Sequence, residues 1–142
     1  MLLYGQLFAA DAQSTLKIYH QILYAMLHKE KVKVYTPDRE LRDIFKSSKQ
    51  IIVVEKPEEA DIVIVGNNHS YVRVHDILKH EKKRDSVIMF ATDYHLLKAS
   101  PYIVGALYWK KGRSQLLFIR SRLKQHHIEL PKEYEHFIVD SL

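Results

Sequence analysis

The chain has 142 residues, 46% hydrophobic and 27% charged, enough for one globular domain with its own core and too apolar for a disordered tail. Cysteine is absent, which excludes disulfides, thiol nucleophiles and thiolate metal sites; no apolar run approaches the ~18 residues of a membrane-spanning helix. The net charge of +5 comes from the second half: residues 1–71 hold nine Lys/Arg and nine Asp/Glu, residues 72–142 thirteen and eight. Such a half meets nucleic acid, anionic lipid or an acidic protein, or is simply a solvated surface.

Met1–Ala12 has apolar Leu2, Leu3, Leu7 and Phe8 and ends in Ala10-Asp11-Ala12. It reads as the remnant of a truncated secretion signal, with an A-x-A-like site and no basic start. Ser14–His28 is predicted to be a helix: Ser14 caps it, and Leu16, Tyr19, Ile22, Leu23 and Met26 recur every three or four residues. Val32–Tyr35 is a strand. Thr36-Pro37 opens a second helix, with Thr36 as N-cap and Leu41, Ile44 and Phe45 on its buried side. Strands follow at Ile51–Val54 and Ile62–Val65, the latter ended by a turn at Gly66-Asn67-Asn68. A third helix is placed at Val74–Lys83.

The apolar runs Val87–Phe90, Ile103–Trp109 and Gln115–Ile119 are strands. The last two, joined by Lys110-Lys111-Gly112-Arg113-Ser114, form a β-hairpin. Tyr94–Tyr102 is at least partly loop. Ser121 caps a short helix to Gln125, and Lys132–Val139 is a closing helix. Strands alternating with helices, then a hairpin, give the expected fold: α/β, a single domain over residues 13–142, with a mixed sheet of about six strands covered by helices and a C-terminal β-hairpin followed by a helix.

No catalytic motif emerges. Nine histidines raise the question of metal, but His126-His127 are adjacent and point about 100° apart on a helix, and no H-E-x-x-H pattern occurs. Thr92-Asp93 follows a strand end, a common address for ligand contacts in open α/β sheets; capping a following turn is the stronger reading for Asp93. Gly66 alone does not make a phosphate loop. Tyr108, Trp109, Lys110, Lys111 and Arg113 are the best aromatic and basic cluster, and one of the two aromatics should be core because strand residues alternate between faces.

The order and punctuation from about Leu16 to the C-terminus resemble the YfiR-like domains of bacterial envelopes. The resemblance rests on the aromatic-rich helix Ile18–Leu27, the strand Ala60-Asp61-Ile62-Val63-Ile64-Val65, Val87–Phe90 ending at Thr92-Asp93, the hairpin through Lys111-Gly112, and Leu116-Leu117-Phe118-Ile119 leading into a helix. The chain departs from that family at Pro101-Tyr102, where relatives carry Gly-Gly, and at Arg120-Ser121, where they carry Asn.

The resemblance implies a secreted, periplasmic regulator that is not an enzyme, needs no cofactor or metal, and acts by contact on a membrane-bound signalling protein such as a diguanylate cyclase or sensor kinase. A second copy of the chain is a further candidate partner. The residues expected to meet the partner are Tyr108, Trp109, Lys110, Lys111 and Arg113 at the hairpin tip, with Arg120 and Arg122 after its second strand. The runner-up is a cytosolic nucleic-acid-binding protein using the basic C-terminal half, the less favoured reading because basic patches outnumber nucleic-acid sites.

Overall fold

Alternate residues of the apolar runs bury themselves in two different cores, and this divides the molecule into layers. The structure, a computed structural model, describes residues 12–142 in full and residues 2–11 by backbone course alone. In Ile62–Val65 (β3), Ile62 and Ile64 enter one core while Val63 and Val65 enter the other. Ile88–Ala91 (β4) does the same with Ile88 and Phe90 against Met89 and Ala91. All eight residues are buried, the pattern of parallel strands covered on both faces.

The remaining strands are Val32–Tyr35 (β1), Ile51–Val53 (β2), Ile103–Lys110 (β5), Arg113–Ile119 (β6) and Ile138–Val139 (β7). They lie in the order β2-β1-β3-β4-β5-β6-β7. From β2 through β5 every neighbouring pair is parallel; β6 is antiparallel to β5, and β7 parallel to β6. The result is one mixed seven-stranded sheet, a strand more than expected. Because β2 and β3 lie on opposite sides of β1, the connections reverse direction there.

On one face lie Leu2–Leu27 (α1) and Arg39–Lys46 (α2). Tyr19 of α1 is the centre of that core: its ring meets Phe45 edge-on at 5.2 Å and Phe90 at 6.4 Å. Burial pushes its hydroxyl pKa well above the usual tyrosine range, with Asp38 adding to the shift. On the other face lie Asn68–His80 (α3) and the short Tyr94–Ala99 (α4), burying Val74, Leu78, Leu96 and Leu97. Arg120–Gln125 (α5) follows the hairpin and buries Leu123.

Several local expectations change. α1 runs through Ser14, which therefore caps nothing, and ends where His28 turns to φ 53° with its N–H on the Tyr24 carbonyl at 2.8 Å. The signal-like reading of Met1–Ala12 turns on the side chains of residues 1–11, which lie outside the described residues. Asp38, not Thr36, caps α2; the Thr36 hydroxyl instead accepts from the Asp38 N–H at 3.2 Å. α3 starts at Asn68, six residues before its expected start, and the loop-like stretch after β4 contains α4. α5 begins at Arg120 with no side-chain cap, so Ser121 does not serve as one. The expected closing helix is a 3-10 turn at Lys132–Phe137 followed by β7.

The hairpin forms as expected. Lys110 pairs with Arg113, so its loop is the two residues Lys111 and Gly112, at φ 51° and 77°. Positive φ at both is what a tight hairpin turn of the primed type requires. Lower in the hairpin, Gly105 pairs with Phe118, and a Cβ there would lie 2.7 Å from the Phe118 ring and 2.6 Å from the Leu117 carbonyl.

Candidate functional site

β1, β3, β4 and β5 run in one direction, so their carboxyl ends share an edge of the sheet. Each of the first three leads into a helix through a polar residue that caps it. Asp38 accepts from the Leu41 N–H at 3.2 Å, Asn67 from the Ser70 N–H at 2.8 Å, and Asp93 from the His95 N–H at 2.9 Å. Asp93 is thus the turn cap that the sequence favours. The reversal of connections at β1 is the place where open α/β sheets bind ligands, beside these carboxyl ends.

Between the ends of β3 and β4 the backbones approach closely. The Thr92 N–H donates to the Val65 carbonyl at 2.9 Å. A Cβ on Gly66 would lie 2.8 Å from Thr92 Oγ1, so the floor of the edge admits only glycine without displacement.

Two grooves meet at Thr92, Tyr108 and Trp109. The larger, about 810 Å³, runs between α1, at Ser14, Ile18 and Tyr19, and the hairpin, at Arg113 and Ser114. The smaller, about 590 Å³, passes over Gly66 and Asp93 to Lys110. Tyr108 is half-buried, with its ring 5.3 Å from that of Tyr94. Trp109 is 67% exposed and stands at the lip of both grooves. The alternation of β5 therefore assigns Tyr108 to the core side and leaves Trp109 to solvent. Lys110, Lys111 and Arg113 are exposed beside it and form no ion pair among the described residues.

The structure brings these five hairpin residues together and separates Arg120 and Arg122 from them. β6 carries the chain from the tip at Arg113 to the opposite edge of the sheet. There Arg120 is held by Glu135 and Asp140, and those hydrogen bonds raise its already high pKa. Arg122 Nη1 donates to the carbonyls of Leu97, Ser100 and Ile103 at 2.8–2.9 Å, its two hydrogens shared among three acceptors. Burial lowers its pKa. Both arginines tie loops together, Arg122 joining the end of α4 to the start of β5, and neither belongs to the basic patch at the tip.

Gly66, Tyr94 and the α1 rim of the larger groove reach the site from distant parts of the chain, and the sequence reading did not place them there. Among the described residues no group of three His, Asp or Glu side chains is arranged to hold a metal ion, and no helix is long and apolar enough to cross a membrane.

No family model and no curated protein matches the sequence. Among solved structures, the fold is similar to that of a conserved domain protein from Vibrio cholerae, at 9% identity and a TM-score of 0.58 over 87% of this chain. The chain spans 59% of that protein's length. At that identity the likeness shows the fold alone.

Proposed function

We propose that the chain is a regulatory binding domain that works by protein contact rather than catalysis, using the carboxyl-edge groove and the hairpin tip. The observation that carries this is Trp109, exposed at the lip of two grooves beside Lys110, Lys111 and Arg113, which form no ion pair among the described residues. A large rigid aromatic next to free cations is the composition of a contact centre. Held by a six-pair antiparallel ladder, the tip meets a partner without first being ordered.

The YfiR-like pattern supports placing the domain in the periplasm and its partner in the membrane, as a diguanylate cyclase or sensor kinase with an acidic surface. Fractionation of the full-length product tests the compartment: it should leave with the periplasmic contents, and a product confined to the cytosol overturns this part of the reading. The alternative partner is a single-stranded nucleic acid stacking on Trp109 between the cations. Oligonucleotide binding that weakens steeply with salt would favour it; no binding at low salt removes it.

A further inference from the structure

The hairpin tip does not hold all the positive charge of the second half. α3 starts at the carboxyl end of β3 and runs back to the amino end of β4, on the edge of the sheet opposite the tip. There Lys79, Lys82 and Arg84 line a concavity of about 290 Å³, with Asp85 as its one carboxylate. Lys79 and Lys82 are exposed and form no ion pair among the described residues.

Arg84 is held in place by aromatic rings. Its guanidinium lies over Tyr102, 5.1 Å from the ring centroid. The Tyr102 ring is 4.8 Å from that of His75, which is 5.6 Å from that of Tyr71. Ser100 locks the stack: its hydroxyl donates to the Tyr71 hydroxyl at 2.7 Å and accepts from the Tyr102 N–H at 3.1 Å. The Arg84 Nε is 3.7 Å from the Asp85 carboxylate, too far for a hydrogen bond. A guanidinium fixed by its face in this way keeps its N–H fork for a ligand.

The end of α3 supplies the second cation at an unusual position. The Lys83 N–H donates to the Leu78 carbonyl at 2.7 Å, and Lys82 between them turns to φ 58°. That is the left-handed position of a helix end, where glycine is favoured. Lysines in a last turn complement the negative end of a helix, which accounts for Lys79. It accounts neither for a lysine at the left-handed position nor for a stacked arginine beyond the helix. Three cations converging on an anion account for both. His75 senses the same field: burial first, then Arg84 and more weakly Lys79, hold its pKa below the ordinary 6.5, with Asp76 opposing.

We propose that this concavity binds a terminal phosphate group, with the Arg84 fork bonding two of its oxygens and Lys79 and Lys82 acting as point charges. At about 290 Å³ it falls just short of the roughly 300–1,000 Å³ of ordinary ligand pockets, so it takes the phosphate and little beyond it. A phosphate monoester carries about two negative charges near neutral pH. It suits three cations and one carboxylate better than the singly charged diester of a nucleic-acid backbone does.

Titration of the full chain with inorganic phosphate at constant ionic strength, followed through the His75 ring signals, tests this. Phosphate should bind and raise the His75 pKa, because it offsets Arg84 and Lys79. Arg84→Lys keeps the charge, loses the fork and should weaken binding about tenfold. Lys82→Gly should also weaken binding, yet leave the melting temperature unchanged or higher, since glycine suits the turn. Lys110→Gln with Lys111→Gln, at the hairpin tip, should bind as the wild type does. Vesicles containing phosphatidic acid present the same terminal phosphate in a membrane. Vesicle binding that free phosphate competes away assigns the group to a lipid headgroup, and phosphate binding without vesicle binding assigns it to a soluble ligand; both support the site. A wild type that binds no phosphate, Arg84→Lys or Lys82→Gly binding as tightly as the wild type, or a hairpin-tip variant that loses as much as Lys82→Gly overturns the proposal.

Discussion

Gly66 and Thr92 face each other across the floor of the carboxyl-edge groove so closely that a Cβ on the glycine would stand 2.8 Å from Thr92 Oγ1. The two backbones cannot separate easily, because the Thr92 N–H bonds the Val65 carbonyl. Gly66→Ala should therefore destabilise the fold by about 1–2 kcal/mol, the scale of a small overpacking. Thr92→Ala removes the hydroxyl and should recover much of that loss in the double variant. Chemical denaturation of the four proteins in a double-mutant cycle measures the coupling; additive effects would show that the contact does not constrain this edge.

Gly105 makes the same kind of prediction at the opposite end of β5. Phe118 packs over it, fully buried, in the position a side chain would take. Gly105→Val should destabilise more than Gly66→Ala, because a backbone carbonyl and a core ring both stand in the way and neither yields cheaply. A denaturation midpoint close to that of the wild type would contradict this packing.

The two arginines after β6 should behave oppositely. Arg122→Met keeps much of the apolar stem and leaves three part-buried carbonyls without their donor, so a loss of about 2 kcal/mol is expected. Hydrogen exchange should quicken around the α4–β5 joint. Arg120→Ala breaks only exposed ion pairs and should barely move the melting temperature. Equal losses in the two variants would contradict the roles assigned to them.

Stability should fall in mild acid. His75 lies between the rings of Tyr71 and Tyr102, at 5.6 and 4.8 Å. Burial first, then Arg84, and to a lesser degree Lys79 holds its pKa below the ordinary 6.5, with Asp76 opposing. Burial lowers that of His126 too, with His127 adding and Asp85 opposing. A histidine with a lowered folded pKa binds its proton more readily when unfolded. Stability is therefore complete above about pH 6.5 and is lost as the pH falls through the lowered folded values. Melting temperatures between pH 7.5 and 5 should show this. His75→Phe, which keeps a ring in the stack, should flatten the fall; a profile it leaves unchanged would show that His75 carries none of the loss.

What the sequence revealed of the fold follows the range of the forces involved. The hairpin was legible because Lys111-Gly112 separates two apolar runs and the turn chemistry is local. β3 and β4 were legible as short buried runs. The first turns of α3 were not: Asn68, His69 and Ser70 carry no apolar periodicity, and the signal that starts the helix is the single cap at Asn67. Tyr134, Phe137 and Ile138 have helical spacing, yet Ile138 pairs with Phe118 as a strand, a contact between segments far apart in sequence.

The site divides in the same way. Tyr108 to Arg113 cluster because they are neighbours in the chain. Arg120 looks close to Arg113 in sequence, but seven residues of strand at about 3.3 Å each carry it to the far edge of the sheet. Gly66 and Tyr94 join the groove only through the parallel pairing of β3, β4 and β5.

The central claim, that the hairpin tip is the face that meets a partner, is tested most directly by site-specific photocrosslinking in intact cells. A photoreactive residue replacing Trp109 should capture a discrete membrane protein, and one replacing Val72 on α3 should not. Lys110→Glu with Lys111→Glu should abolish the adduct while leaving the melting temperature nearly unchanged, since both side chains are exposed and unpaired among the described residues. Capture at Val72 as strong as at Trp109, or an adduct at Trp109 that survives the charge reversal, would contradict the account.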